Sequence, residues 1–405
     1  MENIQRIYFD HAATTPVDSA VFEAMRPYFC DTFGNAANTV YSFGREAAKA
    51  VGDARARVAR ALNAGCRLLD SRQKDEIYFT SGGTEADVWA LTGAAYANAA
   101  KGKHIVTTKI EHAAIMSTCE QLQKRGFEIT YIDVDAFGVV RTDKLQKALR
   151  PDTVLVSVMT ANNETGAIQP IAEIAKICNE CKILFHTDAV QAAGVLDLDV
   201  KKLGVDLLSL SAHKFYGPKG IGALYIKSGV KIDKLIPGGH QEFSRRGGTS
   251  NVPLIVGFGA AIEIAAKERE NRAVHLKRLK THFLNRIKEI EYTAVNGDPE
   301  RTLPGTVNVG FRFIESEGLL TSLDLSGIAA SSGSACASDS LEPSHVLLAM
   351  GLSHADAQGA LRVSFGKSNT IGEVDFCIDL LKDIVQKRRE MSPLYSEFKE
   401  EGKLV

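Results

Sequence analysis

The chain has 405 residues, 45% of them hydrophobic and 24% charged, a balance that suits folded globular domains and excludes extended disorder. Its formal net charge is -1, so no basic excess is available to hold a phosphate backbone, and nucleic acid is not an expected partner. No run of about 18 apolar residues occurs, so no membrane span or membrane partner is expected.

In chain order, residues 1–6 lack the apolar run of a secretion signal, which fits a cytoplasmic protein. Residues 64–75 are polar and read as a surface excursion. Residues 76–80 read as a strand that ends in Ser81-Gly82-Gly83-Thr84 and leads into a helix reaching about residue 100. A strand at 104–108, a helix from about 114, a strand at 128–132 and the most uniformly apolar strand, 153–158, follow. A helix near 171–181 precedes strands at 184–188, 206–210 and 222–226. Apolar runs that do not alternate, separated by helices, indicate a mostly parallel sheet buried on both faces. From about Pro253 the pattern changes. A long charged helix spans about 255–290, and strands near 306–309 and 361–365 alternate with helices to the end. The fold class is α/β, with a large domain over residues 16–260. A smaller α+β domain takes residues 1–15 and 261–405. The basic stretch Gln386 to Glu390 reads as a solvated helix face.

The seven cysteines are an odd, scattered set that fits a reducing compartment better than a disulfide framework. Cys178 and Cys181 have CxxC spacing but fall on a helix with no second pair, so a metal role is not expected. Cys119 and Cys377 read as core filler.

Three strand ends carry chemistry. Lys214 follows the strand at 206–210 and precedes a Gly-Pro-rich loop; such a lysine is either an ordinary solvated one or a desolvated amine able to bond a carbonyl. Asp188 ends the strand at 184–188. It suits either a helix N-cap or a buried partner for a protonated ring nitrogen, as pyridoxal phosphate requires. The glycines of Ser81-Gly82-Gly83-Thr84 offer backbone N–H groups and a helix N-terminus to an anion. Cys336 sits in a run of small residues that reads as a mobile, exposed loop, where a thiol of pKa ~8.5 needs help from its site to ionise.

These stretches resemble the cysteine desulfurases of the class V aminotransferase group, from Tyr8 to about Leu404. The resemblance rests on YFDHAATTP from Tyr8, TSGGTEA from Thr80, IEHAAI from Ile110 and ANNETGAIQPI from Ala161. It continues in HTDAVQ from His186, SAHKFYGPKGIGALY from Ser211, SSGSACAS from Ser331 and LEPSHVLLAMGL from Leu341. It implies a pyridoxal-phosphate-dependent transferase of fold type I, working as a homodimer with pyridoxal 5'-phosphate as cofactor and no metal. Carried over residue by residue, it makes Lys214 the lysine that bonds the cofactor and Asp188 the partner of the ring nitrogen. His112 would stack on the ring and shuttle protons, while Gln191 and Asn163 would touch the ring oxygen and its surroundings. Gly83, Thr84, Ser211 and His213 would bind the phosphate, with Thr249 reaching it from the second subunit. Arg362, with Asn35 and Asn163, would bind the substrate L-cysteine, and Cys336 would take its sulfur as a persulfide, releasing alanine.

The sulfur would pass to an acceptor protein, an iron–sulfur scaffold or a sulfur carrier, for cluster assembly, other thio-cofactors or tRNA thiolation. A selenocysteine lyase is the alternative within the fold. An aminotransferase would not need Cys336, and a non-catalytic scaffold would need none of Lys214, Cys336 and Arg362. The chain departs from the family pattern at Ala36 to Asn38, at Tyr41, and at Phe243-Ser244, which stand where the family shows Arg-Gly.

Overall fold

The computed structural model describes residues 6–333 and 343–401. Strand-forming runs separated by helices assemble into a seven-stranded sheet in the order Ile77–Thr80, Gly222–Ile226, Leu207–Ser211, Leu184–Asp188, Thr153–Ser157, His104–Thr108 and Glu128–Ile132. All neighbours pair in parallel except Gly222–Ile226, which runs antiparallel to the strands on either side of it. The strands between the edges are buried at every position but Leu184, the pattern that helices on both faces impose. Glu128–Ile132, at one edge, is partly exposed.

Helix Gly83–Ala97 is apolar on most of its surface and packs on one face of the sheet. Helix Ser42–Leu62 lies against the first half of the long helix Val252–Arg286. Their approach is close: a Cβ on Gly259 would sit 2.8 Å from Ala54 Cα. The long helix starts at Val252 rather than near 255, because Asn251 caps it and Pro253 is tolerated in a first turn.

Farther along, this helix changes neighbours. Its residues up to Ala265 belong to the core around the large sheet, and from Leu276 onward they join a second core. That second core surrounds an antiparallel sheet in the order Ala360–Ser364, Thr306–Phe311, Thr293–Val295. The N-terminal Ile7–Tyr8 joins it by pairing in parallel with Ile328–Ala329.

The basic stretch near the end of helix Ile371–Glu390 is only partly solvated. Lys387 is exposed, but Arg389 is buried and donates to the carbonyls of Arg312 and Tyr292. A long side chain satisfied by backbone oxygens can be buried where its neighbours are not. Among the described residues, no helix is long and apolar enough to cross a membrane.

Candidate active site

Loops leaving the C-terminal ends of the parallel strands converge on a cavity of about 190 Å³, the edge where open α/β sheets collect their ligands. At one end, Ile77–Thr80 turns into helix Gly83–Ala97. A Cβ on Gly83 would lie 2.8 Å from Val190 Cγ2 and 3.4 Å from Ser211 Cβ, so glycine is what lets the helix start so close to its neighbours. Helix N-termini present N–H groups to anions, and Thr84, Ser211 and His213 complete this wall. His213 Nδ1 lies 3.1 Å from Thr14 Oγ1, and burial holds its pKa down at about 4, so the ring is neutral.

Lys214 closes the short 3-10 turn Ala212–Lys214 after Leu207–Ser211. Its Nζ donates to the carbonyls of Ala12 and, at 2.9 Å, Ala13. Gln191 Nε2 donates to the same Ala12 oxygen at 2.9 Å. Asp188 lies at the deep end, 6% exposed, with Oδ1 accepting the Val190 N–H at 2.9 Å. The residues that follow it form turns, so the carboxylate caps a turn rather than a helix. Burial raises its pKa, while His112, the Val190 N–H and Lys214 oppose the rise.

His112 caps helix Ala113–Lys124, its Nδ1 accepting the Ala114 N–H at 3.2 Å. That bond leaves the ring proton to Nε2, and burial, the largest influence, lowers its pKa. Arg362, 1% exposed, donates from Nη1 to the Asn163 carbonyl at 3.0 Å and from Nη2 to Asp10 Oδ1 at 2.7 Å. Among the described residues, its Nε has no partner.

The cavity thus gathers Gly83, Thr84, Ser211 and His213 at one end, Lys214, Gln191 and Asp188 within, and His112, Asn163 and Arg362 beside them. Asn35 and Thr249 do not line it. Asn35 is exposed, with Oδ1 accepting the Ala37 N–H at 2.9 Å, and Thr249 is exposed on a loop. Cys336 lies outside the described residues.

The loop that leads to Thr249 is fastened twice. Arg246 grips Glu85 with two bonds of 2.8 and 3.1 Å. Arg55 grips Glu242 with two of 2.8 Å and lies 4.8 and 4.9 Å from the rings of Phe79 and Phe243. Phe243, one of the departures from the family pattern, therefore has a packing role against a buried guanidinium.

Sequence reasoning missed Asp87, Glu111 and Asp10. Asp87 lines the cavity, and its spacing from Gly83 and Thr84 puts all three on one helix face, a signal present in the sequence. Cys178 is buried, Cys181 exposed, and no metal-holding group occurs among the described residues. Burial pushes the Cys119 and Cys377 thiols up to about 12, as befits core filler.

The family model described as Aminotransferase class-V matches residues 7–376. Cysteine desulfurase IscS of Methanosarcina thermophila is 52% identical over 388 residues, covering 96% of this chain and 94% of that protein. Cysteine desulfurase IscS of Clostridium botulinum is 50% identical over 397 residues, covering 97% and 98%. Among solved structures, a NifS-like protein superposes with a TM-score of 0.87 at 38% identity, covering 94% of this chain and 100% of that one. A structure described as SspA in complex with cysteine gives 0.77 at 37% identity, covering 89% and 99%. The sheet, the flanking helices and the site at the strand ends are those of a fold type I transferase. The chain belongs to the aminotransferase class-V family.

Proposed function

We propose that the protein is a cysteine desulfurase dependent on pyridoxal 5'-phosphate, converting L-cysteine to L-alanine and keeping the sulfur as a persulfide on Cys336. One observation carries this reading: Lys214, Asp188, the helix start at Gly83 and Arg362 share a single cavity. The relatives' names add to it, since they favour a desulfurase over the selenocysteine lyase alternative.

The donor set fits the cofactor. A glycine-led helix start with hydroxyls suits its phosphate, a buried acid suits a protonated ring nitrogen, and a lysine suits an aldehyde. When bound, pyridoxal phosphate supplies a carbonyl for an amine and a ring that withdraws electrons from the substrate's α-carbon.

The remaining work falls to the chain. Lys214 would hold the cofactor through its amine and would take the substrate's α-proton. Asp188 keeps the ring nitrogen protonated. His112, neutral with its proton on Nε2, is a donor that moves protons above the cavity. Arg362 holds the substrate carboxylate, with the unpartnered Nε–H as a ready donor. Cys336, as thiolate, attacks the substrate sulfur. An S–S bond would form and the C–S bond break with its electron pair staying on the β-carbon; a proton on that carbon and the return of the α-proton from Lys214 would complete alanine.

Thr249, exposed on its own chain, serves the phosphate of a second copy in a homodimer. The persulfide sulfur goes to an acceptor protein, an iron–sulfur scaffold or a sulfur carrier. The deciding experiment incubates the protein with L-cysteine and weighs the Cys336 peptide by mass spectrometry. Alanine without a mass gain of one sulfur would refute the persulfide. Parallel runs with selenocysteine separate the two substrates.

A further inference from the structure

The cavity holds a second carboxyl for which the reading above has no use. Asp87 follows Thr84 by one helical turn, and its side chain is 1% exposed while lining the same cavity as Asp188. Among the described residues, its Oδ1 has no hydrogen-bond partner. Among the described residues, the basic side chain at ion-pair distance from it is His186, 3.7 Å away.

That imidazole supplies no charge. His186 Nδ1 meets Ser157 Oγ at 2.9 Å and Nε2 meets Ser209 Oγ at 3.0 Å, an arrangement that a neutral ring satisfies. Its complete burial holds its pKa down at about 3. The other groups that face Asp87 are acids or hydroxyls: Asp188 from the same strand as His186, Ser209 from the next strand, and Glu111 from the loop before His112.

Asp188 and Asp87 are therefore unequal. Asp188 accepts a backbone N–H and has the Lys214 ammonium to favour its charge. Asp87 has an orphaned oxygen, a neutral imidazole and neighbouring acids, and the Ser209 hydroxyl that favours its charge is outweighed by burial and by Asp188. Two buried carboxyls facing each other resist ionising together, and the one with the better partners takes the charge.

We propose that Asp87 is a protonated carboxylic acid at neutral pH, a positioning residue that leaves Asp188 as the one ionised carboxylate at the deep end of the cavity. It acts there as a hydrogen-bond donor and keeps the charge opposite the ring nitrogen at one rather than two. A carboxylic acid kept neutral by an apolar or crowded site is a known way of making a donor at pH 7. Burial and Asp188 both push the Asp87 carboxyl well above the usual range, in the same direction. The role assigned to Asp188 rests on the cofactor reading above; the protonation state of Asp87 does not.

Infrared difference spectra of the cofactor-free protein near pH 7 test it. Wild type minus Asp87→Asn should show loss of a carboxylic-acid C=O stretch; loss of an ionised carboxylate band instead overturns the proposal. Glu111→Gln, recorded in parallel, identifies the other buried acid. Should the Asp87 variant fail to fold, wild-type protein labelled with 13C at its aspartate carboxyls must show an isotope-shifted acid stretch, and its absence is equally decisive against. In the holoenzyme, Asp87→Asn should leave the pH midpoint of the cofactor's visible band unshifted, since no charge is removed. A displacement of about one pH unit or more would mean that a charge had gone. The cofactor-free measurements do not depend on the desulfurase reading, which the Cys336 persulfide tests separately.

Discussion

Ser331 and Arg362 exchange both backbone hydrogen bonds, Ser331 N–H to Arg362 O at 3.2 Å and Arg362 N–H to Ser331 O at 2.5 Å. The segment that runs on to Cys336 thus departs from the strand that carries the proposed carboxylate clamp. The Arg362 guanidinium is shared between the Asn163 carbonyl and Asp10, and its Nε has no acceptor among the described residues. Losing charged hydrogen bonds costs about 1.5–3 kcal/mol. Arg362→Ala should therefore lower kcat/KM for cysteine roughly 10- to 100-fold. Alanine formation measured across cysteine concentrations checks this, and an unchanged kcat/KM would take Arg362 out of the substrate site.

Lys214 and Cys336 should separate cofactor chemistry from sulfur transfer. Lys214→Ala is expected to lose both the bound cofactor's visible band and alanine production. Cys336→Ser is expected to keep the band and lose the persulfide, because serine lacks the sulfur that accepts the transfer. Absorbance and peptide mass spectrometry read the two outcomes. Wild-type persulfide yield from Cys336→Ser would reassign the nucleophile.

Gly83 tests the anion cradle. The added methyl of Gly83→Ala meets Val190 Cγ2 at 2.8 Å, so either that side chain or the helix start must shift. Overpacking of this kind costs about 1–3 kcal/mol. If the shift falls on the phosphate-binding turn, cofactor affinity drops about 10-fold or more. Titration of the cofactor-free variant by absorbance or fluorescence measures it. Wild-type affinity would show that Val190, and not the helix start, takes up the added methyl.

Much of this was legible in the residues. Strands Leu184–Asp188 and Gly222–Ile226 fall at the expected bounds because apolar runs there are closed off by turn residues. Lys214, Asp188 and Gly83 stand at strand ends, where sequence order alone puts them on one edge of a parallel sheet. The direction of Gly222–Ile226 was not legible, since an apolar strand reads alike in either orientation. Asp87 was missed because an acid one turn into a helix looks like a solvated residue. The warning lay in its neighbours: Trp89, Ala90 and Leu91 make that helix apolar nearly all round. Arg389 deceived in the same way, its partners being carbonyls distant in sequence. The contact expected of Thr249 would be made only in the proposed homodimer, so this chain by itself does not display it.

Glu111 gives a stability prediction with a definite sign. Its side chain is wholly buried; Oε1 accepts from Thr108 Oγ1 at 2.7 Å and from the Met159 N–H at 3.1 Å, while Oε2 has no partner among the described residues. Burial pushes its pKa from 4.5 up to about 8. Between those values the native state holds a proton that the unfolded chain has released. The associated stability is fully present below about pH 4.5 and is lost as pH rises through about 8, by up to ~1.4 kcal/mol per pH unit. Glu111→Gln has no proton to lose and keeps an oxygen for Thr108 and Met159. Urea denaturation of the two proteins at about pH 6 and about pH 8.5 should show a smaller drop in midpoint for the variant. Equal drops would mean that the carboxyl ionises as freely in the folded protein as in the unfolded chain, and the burial argument would fail.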